Sequence, residues 1–154
     1  MLFIFNHQDQ VQRLLTHIEN ASLPDARLFA DIIANACPRA LMEMRKAARL
    51  KKLIESGAWT DAALVLAELE LPQWKVRRIV CDDGEWHCQL SAQPWLPEGF
   101  DEVVEAFHRE LPLALLAAVV QARRQAVTAA PPDGPVADVI LNSDPIRICC
   151  DNFC

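Results

Sequence analysis

Two cysteines, a histidine and three carboxylates fall within eight residues, CDDGEWHC, from Cys81 to Cys88. Thiolates and imidazole are the ligands of tetrahedral zinc, and a thiolate beside a histidine is a nucleophile. Whether these groups meet depends on the backbone that carries them. Asp83-Gly84 is one of the strongest short hairpin signals, so the flanking residues, Trp74 to Cys81 and Glu85 to Ser91, read as two strands. With a two-residue loop Asp82 opposes Glu85, Cys81 opposes Trp86, Ile79 opposes Cys88 and Arg77 opposes Leu90. One face then carries Ile79, Cys81, Trp86, Cys88 and Leu90 and is expected to be buried. The other carries Val76, Arg78, Val80, His87 and Gln89. Cys81 and Cys88 sit diagonally, with Cα atoms roughly 7 to 8 Å apart, outside comfortable disulfide reach. His87 points away from both, because strand neighbours alternate sides. The hairpin therefore neither assembles a zinc site nor lets His87 activate Cys88. Asp82, Asp83 and Glu85 read as a solvated turn that lacks the further spaced ligands of a calcium loop.

Three other constellations carry chemistry. Cys149, Cys150 and Cys154 in IRICCDNFC are thiolates suited to zinc or copper(I), although they form no C-x-x-C knuckle and need a fourth ligand. They define the alternative reading, a metal-binding or thiol-redox protein. Prenylation is not expected, because Asp151 occupies the fourth position from the end. Glu105 and His108 form one E-x-x-H on an expected helix, where carboxylate-bridged di-iron bundles use two such elements and two further glutamates. An exposed helix surface is the simpler reading. Cys37-Pro38 is found in some haem-responsive segments, but a proline opening a helix accounts for it.

Arg39, Arg45, Lys46, Arg49, Lys51 and Lys52, set against Glu43 and Glu55, make the one concentrated basic surface. Such a helix contacts either phosphates or an acidic protein. Helix, helix and hairpin in that order hint at a winged helix, yet the helix before the hairpin holds Asp61, Glu68 and Glu70 and no basic side chain, which is wrong for a major groove. Nucleic acid binding through the basic helix 39–52 is thus the weaker reading, and Arg45, Lys46, Arg49 and Lys52 are assigned to protein-partner contact. The four glycines are all accounted for: Gly57 at a helix end, Gly84 in the hairpin turn, Gly99 before a helix and Gly134 in a proline-rich tail. None remains for a phosphate-cradling loop, and no G-x-S-x-G occurs. No catalytic or cofactor-binding residue is assigned, and no enzyme is expected.

The positioning elements follow from periodicity. Asn6 caps a helix over 7–19 with Val11, Leu14, Leu15 and Ile18 on one stripe, and Ser22 and Pro24 start a second with Leu28, Phe29, Ile32 and Ile33 inward. Pro38 opens a third, RALMEMRKAARLKKLIES, which Gly57 stops. Thr60 and Asp61 open a fourth, DAALVLAELE, ended by Pro72. After the hairpin, Asp101 caps a helix bearing Val103, Val104 and Phe107. Pro112 kinks or restarts it as LALLAAVVQARRQAV, whose apolar residues surround most of the circumference, as expected of a central helix. TAAPPDGPVADVILNSDP holds four of the ten prolines and reads as a flexible or extended tail, within whose final residues Ile146, Ile148 and Cys150 alternate so as to suit an added edge strand. The expected fold is α+β: a predominantly helical single domain, residues 1–127, with one antiparallel β-hairpin at about 74–91 packed through Trp74 or Trp86, and a tail over 128–154. In an alternative, MLFIF pairs as a third strand.

At 154 residues and 52% hydrophobic composition, one core is expected. A net charge of -6 opposes generic attraction to nucleic acid or anionic lipid. MLFIFNHQ lacks the basic leader and cleavage site of a secretory signal, and the longest apolar run, Leu111 to Val120, is ten residues, short of a bilayer span. A cytoplasmic protein with no membrane association follows, its six cysteines reduced. The segments AWTDAAL, ELPQWKVRR, DDGEWHCQLS and LPLALLAAVVQARR, covering about residues 58 to 124, resemble those of short, functionally uncharacterised proteins of nitrogen-fixing soil bacteria. ICCDNF is a further point of likeness. The resemblance implies no activity, cofactor or catalytic residue. Taken together, the residues suggest a small non-enzymatic interaction or regulatory protein acting through a protein partner or self-association.

Overall fold

Val11, Leu14, Leu15 and Ile18 recur three and four residues apart and are all buried, so the first segment coils with one stripe inward as α1, Leu2–Asn20. The computed structural model describes residues 2–97 and 99–129. Because α1 begins at Leu2, Asn6 lies inside the helix rather than at its cap, and the alternative of MLFIF as a strand is overturned for the residues after Met1. Asp25, in extended conformation at φ -140°, opens α2, Ala26–Ala36, by accepting the Leu28 amide at 2.7 Å, and Leu28, Phe29 and Ile32 turn into the core. The next segment is not one helix. Pro38–Leu41 forms a single 3-10 turn, Met42 and Glu43 intervene, and α3 runs Met44–Glu55. Arg39 therefore stands apart from the basic residues of α3. Gly57 takes φ +73° past the end of α3. α4, Trp59–Glu70, starts before Thr60 and Asp61, with Ala58 at its cap and no capping side chain.

Among the described residues the sheet is antiparallel with three strands in the order β1-β2-β3: β1 Lys75–Asp82, β2 Glu85–Ser91 and β3 Val103–His108. Asp83 and Gly84 both have positive φ, as the two-residue hairpin demands. The third strand replaces the helix expected after Asp101. Val104 and Ala106 are buried while Glu105 and Phe107 are exposed, a period of two, and pairing with β2 runs from Ser91↔Val103 to Trp86↔His108.

Asp101 is likewise not a helix cap. Its Oδ2 accepts Arg77 Nη1 at 2.6 Å and the Ser91 hydroxyl, and its Oδ1 accepts the Gln93 amide at 2.8 Å, closing the loop between β2 and β3. Burial pushes this carboxyl up, but the donors from Ser91, Gln93 and Arg77 and the arginine charge outweigh it and hold it below the usual range. The same contact corrects the register. Val76 pairs with Leu90 and Arg78 with Gln89, so Arg77 does not oppose Leu90 but bulges out of the ladder toward Asp101.

α5, Leu111–Ala129, takes Pro112 in its first turn and buries every residue from Pro112 to Val120. It packs on β2, β3, α1 and α4, and among the described residues no helix packs extensively on β1. The inner sheet face is therefore Cys88 and Leu90 with Val104 and Ala106, whereas Ile79 and Cys81, expected on the buried face, are exposed because β1 overhangs the helical cover. Trp74 and Trp86 both pack half-buried against the core. Among the described residues no helix is long and apolar enough to cross a membrane.

Candidate functional site

The hairpin separates its reactive groups as its register requires. Cys81 is exposed, while Cys88 lies under α5 with its thiol pushed up to about 11 by burial. His87 occupies the opposite face, edge-on to Phe107 with ring centroids 4.6 Å apart. Glu105 and His108 do not share a helix face: three apart on a strand, they take opposite sides. Glu105 accepts Gln89 Nε2 at 2.9 Å, and His108 Nδ1 accepts the Glu110 amide at 2.9 Å. Cys37 is fully buried, and burial together with the nearby charge of Glu70 raises its thiol, the state of an inert cysteine. Among the described residues no three His, Cys, Asp or Glu side chains gather as a metal site. Cys149, Cys150 and Cys154 lie outside the described residues.

The basic residues of α3 do assemble. Arg45, Arg49 and Lys52 stand at i, i+4 and i+7, hence on one side of the helix, all exposed and in no ion pair among the described residues. Lys46 sits off this stripe and pairs with Glu43 at 3.1 Å, and Lys51 pairs with Glu55 at 3.8 Å. Around the helix from the stripe come Ala48 and Met44, both exposed. Next is Lys51, at the rim of an apolar groove of about 350 Å³ between α2 and α3. Ile33, Leu41, Leu50 and Ile54 line that groove.

Beside the groove the chain exposes large apolar side chains that folding has not used. Leu41 is 67% exposed, Met42 79% and Met44 86%. Three such neighbours form a patch rather than scattered surface residues. Methionine is also unbranched and polarizable, and so adapts to varied partners. Reading 38–56 as one helix hides this patch. The break at Met42 and Glu43 creates it, and the only trace in the sequence is that LMEM does not fit the stripe continued by Leu50, Leu53 and Ile54.

Comparison with protein-family models, with curated proteins and with solved structures gives no match.

Proposed function

We propose that this is a small, non-enzymatic protein-interaction module that docks an acidic amphipathic helix of a partner protein on α2, the 3-10 turn and α3. The observation that carries the reading is the exposed Leu41, Met42 and Met44 beside an apolar groove. An amphipathic helix lays its apolar side in such a groove and presents its polar side to the rim. At the groove itself Lys51 is paired with Glu55, and the exposed basic stripe of Arg45, Arg49 and Lys52 stands farther round α3, past Met44 and Ala48, within a chain of net charge -6. That local reversal of charge selects an acidic partner and speeds its encounter.

The test is fluorescence anisotropy with a synthetic amphipathic peptide, leucine on one face and glutamate on the other. The expected result is saturable binding that weakens at least about tenfold in M44E and in the triple variant R45E/R49E/K52E, each anchor or charge cluster being worth more than about 1.4 kcal/mol. Equal binding by a scrambled peptide, or unchanged binding by both variants, overturns the reading. Tighter binding to duplex DNA, with affinity falling steeply in salt, overturns it in favour of phosphate contact.

A further inference from the structure

Where α4 ends and α5 passes, Glu70 is 1% exposed. Its Oε1 accepts the Ala40 amide at 2.5 Å, so the carboxylate ties the 3-10 turn to α4 across 30 residues. Its Oε2 is the one buried side-chain nitrogen or oxygen among the described residues that has no hydrogen-bond partner. Arg123 Nε lies 3.7 Å away, close enough for charge attraction but beyond hydrogen-bond length. Buried polar atoms are almost always satisfied, and an orphan acceptor marks a place where a donor belongs.

The carboxylate borders a cleft of about 440 Å³, within the usual range for a small-molecule site. Arg39 from the 3-10 turn and Arg123 from α5 border the cleft from two elements, and Trp74, Leu71 and Val127 supply an apolar side. Two guanidiniums and one carboxylate leave the cleft one positive charge in excess. An anionic group matches the arginines, since planar guanidinium suits carboxylate geometry. A hydroxyl or ammonium next to it matches Oε2. The remaining wall accepts an apolar or aromatic body.

We infer that the cleft between the 3-10 turn, Trp74 and α5 is a binding site for a small carboxylic acid that carries a hydroxyl or amino donor on the adjacent carbon and an apolar side group. The carboxylate is held by Arg39 and Arg123, the donor by Glu70 Oε2, and the side group packs on Trp74. The cleft meets the docking surface at the 3-10 turn but shares no lining side chain with the groove.

The experiment is isothermal titration of the full chain with three probes of one shape: L-phenyllactate, L-phenylalanine and 3-phenylpropionate. The first two keep the donor as hydroxyl or ammonium, and the third lacks it. The expected result is that at least one of the first two binds with a Kd below about 1 mM, and that 3-phenylpropionate binds at least about tenfold more weakly, the loss of one hydrogen bond to a charged acceptor. The stronger of the first two identifies the donor. R39Q, which alters an exposed side chain and leaves the Glu70 to Ala40 bond in place, and R123Q should each weaken binding about tenfold or more. Binding by none of the probes at 10 mM, binding of all three within twofold, or wild-type affinity in both arginine variants overturns the inference.

Discussion

Replacing Glu70 in two ways separates what its two oxygens do. In Glu70→Ala the Ala40 amide loses its acceptor in a site with 2% exposure at Ala40 and 1% at Glu70. A buried, unpaired amide costs about 1–3 kcal/mol. The ion pair with Arg123 adds little, because that side chain keeps 21% exposure and turns to water. For a chain of this size each kcal/mol moves Tm by about 2–4 °C, so a loss of about 2 kcal/mol lowers Tm by about 4–8 °C. Glu70→Gln keeps a carbonyl oxygen for Ala40 and removes only the charge. Burial pushes the Glu70 carboxyl above its ordinary value of 4.5, against the Ala40 amide and the charge of Arg123. A carboxyl raised in the folded state favours folding when protonated. That contribution is complete below 4.5 and is lost as pH rises through the folded value. The glutamine variant has no such loss, so its stability relative to wild type should improve as pH rises above 4.5 and level off once the folded value is passed. Urea denaturation of the three proteins across that range, read by far-UV circular dichroism, measures both effects. If E70Q is as unstable as E70A throughout, or its difference from wild type does not change with pH, the assignment of the two oxygens is wrong.

Asp101 has the opposite sign. Its carboxyl is held low, so its stabilisation is present above the ordinary 3.8 and disappears as pH falls through the folded value. D101N should lower Tm at neutral pH and flatten the acid limb of a Tm-against-pH curve. Leu66, fully buried on α4, should cost about 2–5 kcal/mol as alanine, measured by urea denaturation, since its removal leaves a cavity in the core. Gly84 takes φ +80° with no atom within 4 Å of an added Cβ. G84A should therefore cost only the strain of a left-handed L-residue, about 1–2 kcal/mol, with sheet content in circular dichroism unchanged.

The parts legible in the sequence were those set by neighbours in the chain. Val11, Leu14, Leu15 and Ile18 write a helical stripe, and Asp83-Gly84 writes a two-residue turn, and both are observed. Residues 103–108 were not legible. Val103, Val104 and Phe107 satisfy helical spacing as well as Val104 and Ala106 satisfy a strand, and pairing with β2 decides between them. That pairing is non-local, as is the contact from Asp101 to Arg77 that shifts the register by one residue. Glu70 sits in DAALVLAELE as one of three acidic residues indistinguishable by pattern. Its burial comes from a turn 30 residues earlier. The docking patch was half legible: the basic residues are obvious in the sequence, while the break that exposes Met42 and Met44 is not.

Among the described residues β1 leaves one border of the sheet without a helix over it, and Val76 and Ile79 stand 40% and 37% exposed along it. An edge of this kind is a template on which a second copy can lay its own strand, the first step toward fibrous aggregation. The bulge at Arg77 breaks the even ladder that such stacking needs, and the exposed Lys75 and Arg78 place like charges along the same border. The residue that reaches inward to fasten the loop through Asp101 thus also guards the outside of the sheet, so one arginine links the protein's folding stability to its solubility in crowded solution.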